Sequence, residues 1–112
     1  MASRPNVVVA VSGASGAILS NATIHALLAL DIGLEIVCSD YGELMWSQET
    51  DERFRDAVSR WQKHGQITVH RPDNVAAPIA SGSFPTRGMI IVPCSMATVG
   101  AIASGAGHNL LH

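Results

Sequence analysis

Basic side chains are scarce in this chain, with 7 Lys and Arg among 112 residues against 9 Asp and Glu, a formal net charge of −2. Without a basic stripe or a block of like charge, a nucleic-acid surface is excluded, and any phosphate bound here is held mostly by backbone. Cysteine is equally rare. Cys38 and Cys94 each end a predicted buried strand, the pattern of two reduced core thiols rather than of a disulfide framework. No apolar run approaches the ~18 residues of a membrane span. Met1-Ala-Ser-Arg-Pro5 runs straight into a strand with no signal peptide before it, so a cytoplasmic protein without a membrane partner is expected. The five histidines, at 25, 64, 70, 108 and 112, show no metal-ligand spacing, and no metal is assigned. His25 and His70 read as ordinary surface residues.

What the chain does have is a 47% hydrophobic composition, enough for one domain with a real core over residues 1–112 and too little length for two. Strand and helix alternate. Residues 6–12 read as a strand and 15–30 as a helix, with Ile18, Ile24, Leu27 and Leu28 near helical spacing and Gly33 marking the stop. A second strand follows at 34–38, a short helix at 41–48, and a helix at 51–63 with Phe54, Val58 and Trp61 on one face and Asp51 and Glu52 in its first turn. Residues 67–70 form a weak strand, 71–78 a loop, 89–92 a strand and 95–104 a helix. This order predicts an α/β fold, a doubly wound parallel sheet with right-handed crossovers. Asn109-Leu-Leu-His112 stops after a Gly-rich stretch without the strand and helix that close such a sheet, so the fold is expected to be truncated at its C-terminal side.

Two strand ends carry the chemistry. Val7-Val-Val-Ala-Val11 runs into Ser12-Gly13-Ala14-Ser15-Gly16, and Met89-Ile-Ile-Val92 runs into Pro93-Cys94-Ser95-Met96-Ala97-Thr98. Each hands a buried strand to a helix start, where unsatisfied N–H groups and the helix dipole favour an anion. In an open parallel sheet both loops line a single crevice if their strands are neighbours. Ser95 reads either as an N-cap with Thr98 at N3 or as part of a phosphate or flavin cradle. Ser39, directly after the second strand, is either a turn serine or a contact for a ribityl or ribose hydroxyl. Glu49 lies in a polar break between two helices, where a carboxylate moves protons if the crevice desolvates it. The nicotinamide fingerprint G-x-G-x-x-G is not met, although Asp40 keeps a ribose contact open.

Together, Val7 to Ala17, Ser39, Glu49-Thr-Asp51, Ala77-Pro-Ile-Ala-Ser-Gly-Ser-Phe84 and Val92-Pro-Cys-Ser-Met-Ala-Thr98 resemble the flavin prenyltransferase family, the UbiX group formerly described as phenylacrylic or 3-octaprenyl-4-hydroxybenzoate decarboxylases. The resemblance implies a Rossmann-like, flavodoxin-like flavoprotein fold. It implies that FMN is bound and receives a dimethylallyl group from dimethylallyl monophosphate, giving prenylated FMN for a UbiD-type decarboxylase. By the same resemblance, Gly13, Ala14, Ser15, Ser39, Ser95, Met96, Ala97 and Thr98 hold FMN, and Phe84 lies near the prenyl group. Glu49 shuttles protons, Ser15 assists at the reacting phosphate, and the working form is a homo-oligomer, a dodecamer in the family. Position 97 departs from the pattern, being Ala where many members carry Lys, and the family's later Lys, Arg, Glu and Tyr residues fall beyond residue 112. The competing readings are a non-catalytic FMN-binding module, a related flavin-dependent decarboxylase and, third, a nicotinamide-dependent reductase.

Overall fold

The computed structural model describes residues 6–13, 15–73 and 86–105. Its elements alternate as the sequence predicts: β1 (Asn6–Val11), α1 (Ala17–Ala29), β2 (Leu34–Cys38), α2 (Asp40–Thr50), α3 (Phe54–Gln62), β3 (Ile67–His70), β4 (Thr86–Ile91) and α4 (Met96–Ser104). The four strands form one parallel sheet in the order β3-β2-β1-β4. β1 is central because its run of valines is buried on both faces, the pattern of a parallel strand covered on either side.

Side-chain alternation divides β1 and β2 between two cores. Val7, Val9 and Val11 join Leu34, Ile36 and Cys38 in a cluster covered by α1, α2 and α3, whereas Ala10 and Val37 face the opposite way and pack with Ile91. Trp46, Phe54 and Trp61 close the first cluster edge to face, with ring centroids 5.4–5.8 Å apart. Each such contact adds roughly 0.5–1.5 kcal/mol beyond the burial of the rings. The predicted face of α3, Phe54, Val58 and Trp61, is buried as the spacing requires.

Several boundaries differ, each for a local reason. α1 starts at Ala17 rather than at residue 15, since Gly16 sits at φ 130° as the cap. Its buried stripe is Ala17, Ser20, Ile24 and Leu28, which turns Ile18 to solvent at 80% exposure, and Asp31, at φ 60°, rather than Gly33, ends the turn that follows. α2 continues to Thr50, so the polar stretch 47–50 is a helix end and not a break. Asp51 terminates it in the left-handed conformation, and Asp51 and Glu52 therefore lie in the link rather than in the first turn of α3. β4 begins at Thr86, three residues before its apolar run, because Thr86 pairs with Asn6 ahead of a register shift that leaves Arg87 as the extra residue before Gly88 pairs with Val7.

Two histidines are also not plain surface residues. His70 Nε2 lies 3.1 Å from the buried Glu35 carboxylate on the second face of the sheet, where Asn6 Nδ2 also donates to Glu35 at 2.9 Å. His25 Nε2 is 3.2 Å from Arg60 Nη1, part of a cluster in which Asn21 Oδ1 accepts from both Arg60 and the Trp61 indole. The thiols differ from each other. Cys38 is buried at the end of β2, whereas Cys94 lies past the end of β4 and is only half-buried, so it is not the core thiol expected.

Candidate functional site

A strand order of 3-2-1-4 places the reversal of winding between β1 and β4, and the crevice at such a switch point opens beyond the carboxyl ends of those strands. Both loops singled out in the sequence lie there. Val92 N–H donates to Ala10 O at 2.9 Å, carrying the β4–β1 pairing one residue past the strand, and the chain then passes through a cis Val92–Pro93 peptide.

Ser12 joins the two loops. It is 2% exposed; its hydroxyl donates to Pro93 O at 2.8 Å and accepts from Ser95 N–H at 2.7 Å, while its own N–H reaches Pro93 O at 3.2 Å. Ser20 of α1 adds a hydroxyl bond to Val92 O. The starts of α1 and α4 are thus fixed side by side. Gly16 packs against Pro93, whose Cβ would stand 3.4 Å from a Cβ at position 16, and its φ of 130° is a conformation that glycine reaches without strain.

At the start of α4, Ser95 is the N-cap: its Oγ accepts from Thr98 N–H at 3.1 Å, and the two hydroxyls are 2.9 Å apart. The N-cap alternative for Ser95 therefore describes the geometry. It leaves the first-turn N–H groups of Met96 and Ala97 without partners within the helix. Ser39 caps α2 in the same way, accepting from Gly42 N–H at 3.0 Å, and its own N–H donates to Val11 O at 2.9 Å. The exit of β2 is thereby stitched to the exit of β1.

Glu49 projects from the last turn of α2 into the first turn of α1. Its carboxylate accepts from Gly16 N–H at 3.3 Å and from the Ser15 hydroxyl at 3.3 Å. The Gly16 N–H and the Ser15 hydroxyl thus point at a carboxylate, the kind of donor pair that a helix start offers an oxyanion. Gly13, Ser15, Ser39, Glu49 and Ser95 to Thr98 are therefore brought to one edge of the sheet. Ala14 and Phe84 lie outside the described residues. Among the described residues no cluster of three metal-ligating side chains occurs. A groove between Asp40, Glu43 and Leu44 on α2 and Arg53, Phe54 and Val58 at and within α3 lies apart from these loops.

Two residues at this edge were not foreseen. Ser12 sits inside a quoted loop, and the signal was available: a hydroxyl directly after a run of buried β-branched residues. Tyr41, the single tyrosine of the chain, lies with its ring over Gly13, and only its uniqueness marked it.

The chain matches the Flavoprotein family over residues 1–112. It is 36% identical to the flavin prenyltransferase UbiX of Synechocystis sp. over 94% of this chain and 56% of that protein, and 40% identical to the UbiX of Thauera aromatica over 94% and 52%. Among solved structures it is similar to AnUbiX (PadA1) in complex with FMN and dimethylallyl pyrophosphate, with TM-score 0.86 and 38% identity over 97% of this chain and 55% of that one. It is also similar to a dodecameric FMN-dependent UbiX-like decarboxylase from Escherichia coli O157:H7, with TM-score 0.84 and 34% identity over 95% and 56%. The chain spans about half the length of the curated relatives it matches.

Proposed function

The chain belongs to the flavoprotein family, and on that premise we propose that its residues 1–112 act as one flavoprotein domain that holds FMN and serves a flavin prenyltransferase reaction. The observation that carries the reading is the pairing of two helix starts across buried Ser12, one of them already holding the Glu49 carboxylate.

When bound, reduced FMN supplies the nucleophilic positions to which a dimethylallyl group from dimethylallyl monophosphate is joined. The residues do the rest. Gly13, Ala14 and Ser15 with Gly16 form the anion-binding turn, and the Ser95-capped start of α4 offers the N–H groups of Met96 and Ala97, with Thr98 fixed by the cap. Ser39 holds the neighbouring edge, and Phe84 belongs to the prenyl pocket. Glu49 would accept the proton released as the dimethylallyl group is joined to the flavin, and Ser15, in contact with it, would assist at the phosphate. Ala97 leaves the α4 contact to backbone alone, in keeping with the scarcity of basic side chains.

The product is destined for a UbiD-type decarboxylase, and the working form is an assembly of several copies, a reading supported by the dodecameric state of the similar Escherichia coli structure. A cytoplasmic setting is part of the same proposal; among the described residues no helix is long and apolar enough to cross a membrane.

The test is mass spectrometry of flavin extracted after incubation of the protein with FMN, dithionite and dimethylallyl monophosphate, beside a Glu49→Gln variant. A dimethylallyl adduct that falls in the variant is expected. Bound but unmodified FMN would leave an FMN-binding module, and no bound flavin would overturn the reading.

A further inference from the structure

The first turn of α2 is clamped onto the end of β1. A Cβ on Gly42 would stand 2.9 Å from Val11 O and 3.0 Å from Cys38 Sγ, and Ser39 N–H is bonded to Val11 O. That clamp fixes the residue between them. Tyr41 is laid over Gly13 so closely that a Cβ at position 13 would meet its Cδ1 at 2.1 Å, its Cγ at 2.8 Å and its Cβ at 2.9 Å.

The ring takes the space that a side chain on the loop would fill, yet 59% of the residue remains exposed. An aromatic side chain held in place but left largely in water gains little from its own burial. Its surroundings give it another partner. Tyr41 follows Ser39 by two residues and lies against Gly13, two of the proposed FMN contacts, while the Ser39 Oγ accepts from Gly42 N–H in the cap. The side chain this turn presents at the loop is therefore the phenol of Tyr41. Ligand sites gain orientation from such aromatic walls, whose rigid rings lose little freedom on contact.

We propose that Tyr41 is a flavin-contact residue, its ring forming a wall against FMN bound beside Gly13. The inference rests on the FMN reading given above and adds a specificity-determining side chain to it. Being the single tyrosine, Tyr41 reports on itself.

The experiment nitrates the wild-type chain with tetranitromethane in the dark, with and without saturating FMN, and follows the Tyr41 peptide by mass spectrometry. Binding of FMN is measured separately by ultrafiltration for the wild type, Tyr41→Phe and Tyr41→Ala, with circular dichroism to show that each variant is folded. Saturating FMN is expected to slow nitration several-fold. Loss of the ring in Tyr41→Ala weakens FMN binding about tenfold, while Tyr41→Phe, which keeps it, stays within about twofold of wild type. Unchanged nitration in FMN-saturated protein, or equal affinity of the folded Tyr41→Ala variant, would overturn the assignment and leave the FMN reading standing. A wild-type chain that retains no FMN would overturn both.

Discussion

The Glu49 carboxylate of α2 caps α1 across the crevice, 3.3 Å from the Gly16 N–H, at a helix start whose first turn contains no acidic residue of its own. Replacing Glu49 with Ala removes that cap. The contact is exposed and screened by water, so the loss is expected to be no more than about 1 kcal/mol, and smaller in high salt. Thermal melts of Glu49→Ala at low and high ionic strength check both the size and the salt dependence.

Ser12→Ala strands the Ser95 N–H and takes one of two donors from the Pro93 carbonyl, which keeps the Ser12 N–H at 3.2 Å. The one unsatisfied N–H costs about 1–3 kcal/mol, so this single oxygen is expected to lower stability by more than a typical surface substitution and to loosen the start of α4. Urea denaturation reads the first effect, and amide exchange at Met96 and Ala97 the second.

Gly13→Ala places a methyl group where the Tyr41 ring already lies. The expected result is destabilisation that shrinks when Tyr41→Ala is added, because that change removes the Cδ1 and Cγ contacts at 2.1 and 2.8 Å, keeps the Cβ at 2.9 Å, and takes away an exposed ring without opening a core cavity. A double-mutant cycle of melting temperatures that came out additive would contradict the contact.

Burial pushes the Cys38 thiol upward, with the Glu43 and Asp40 carboxylates adding to the effect. The folded chain therefore keeps that proton above pH 9.0, the ordinary value, where the unfolded chain has lost it. With more protons bound to the native state, stability falls as pH rises beyond that point. Alkylation follows the same logic: iodoacetamide is expected to label Cys94 well before Cys38 in native protein, and both equally in denaturant.

Asn21→Leu removes the acceptor shared by Arg60 and the fully buried Trp61 indole, whose N–H donates to it at 2.9 Å. Loss of about 1–3 kcal/mol is expected from the orphaned indole N–H. Arg60 is partly exposed and keeps Glu52 at 2.7 Å, so a Trp61→Phe background should abolish most of the penalty.

The order of elements and the parallel sheet were legible because hydrophobic periodicity reports burial directly, as in the valines of β1 and in Phe54, Val58 and Trp61. Element ends were less so. Helix α2 absorbs the polar Ser47-Gln48-Glu49-Thr50 because an exposed helix end has no apolar requirement, and β4 absorbs Thr86 and Arg87 because pairing with β1, not side-chain burial, defines it. Loop chemistry read well where one residue suffices, as with Ser95 capping Thr98. It read poorly where two distant segments combine: neither the Ser12 bonds to Pro93 and Ser95 nor the ring of Tyr41 over Gly13 has a signature in spacing. His70 was misread for the same reason, since its partner Glu35 sits on another strand.

Ser12 and Ser95 are 83 residues apart in sequence, and the crevice exists only when they meet. Pairing of β1 with β2 needs only the short α1 crossover, but β4 has to return past β3 and β2 to reach the far side of β1, the contact with the largest loop to close. During synthesis the α1 turn would emerge early and wait, its binding partner still in the ribosome. Ligand added to a refolding chain should therefore leave the folding rate unchanged and slow unfolding of the finished state.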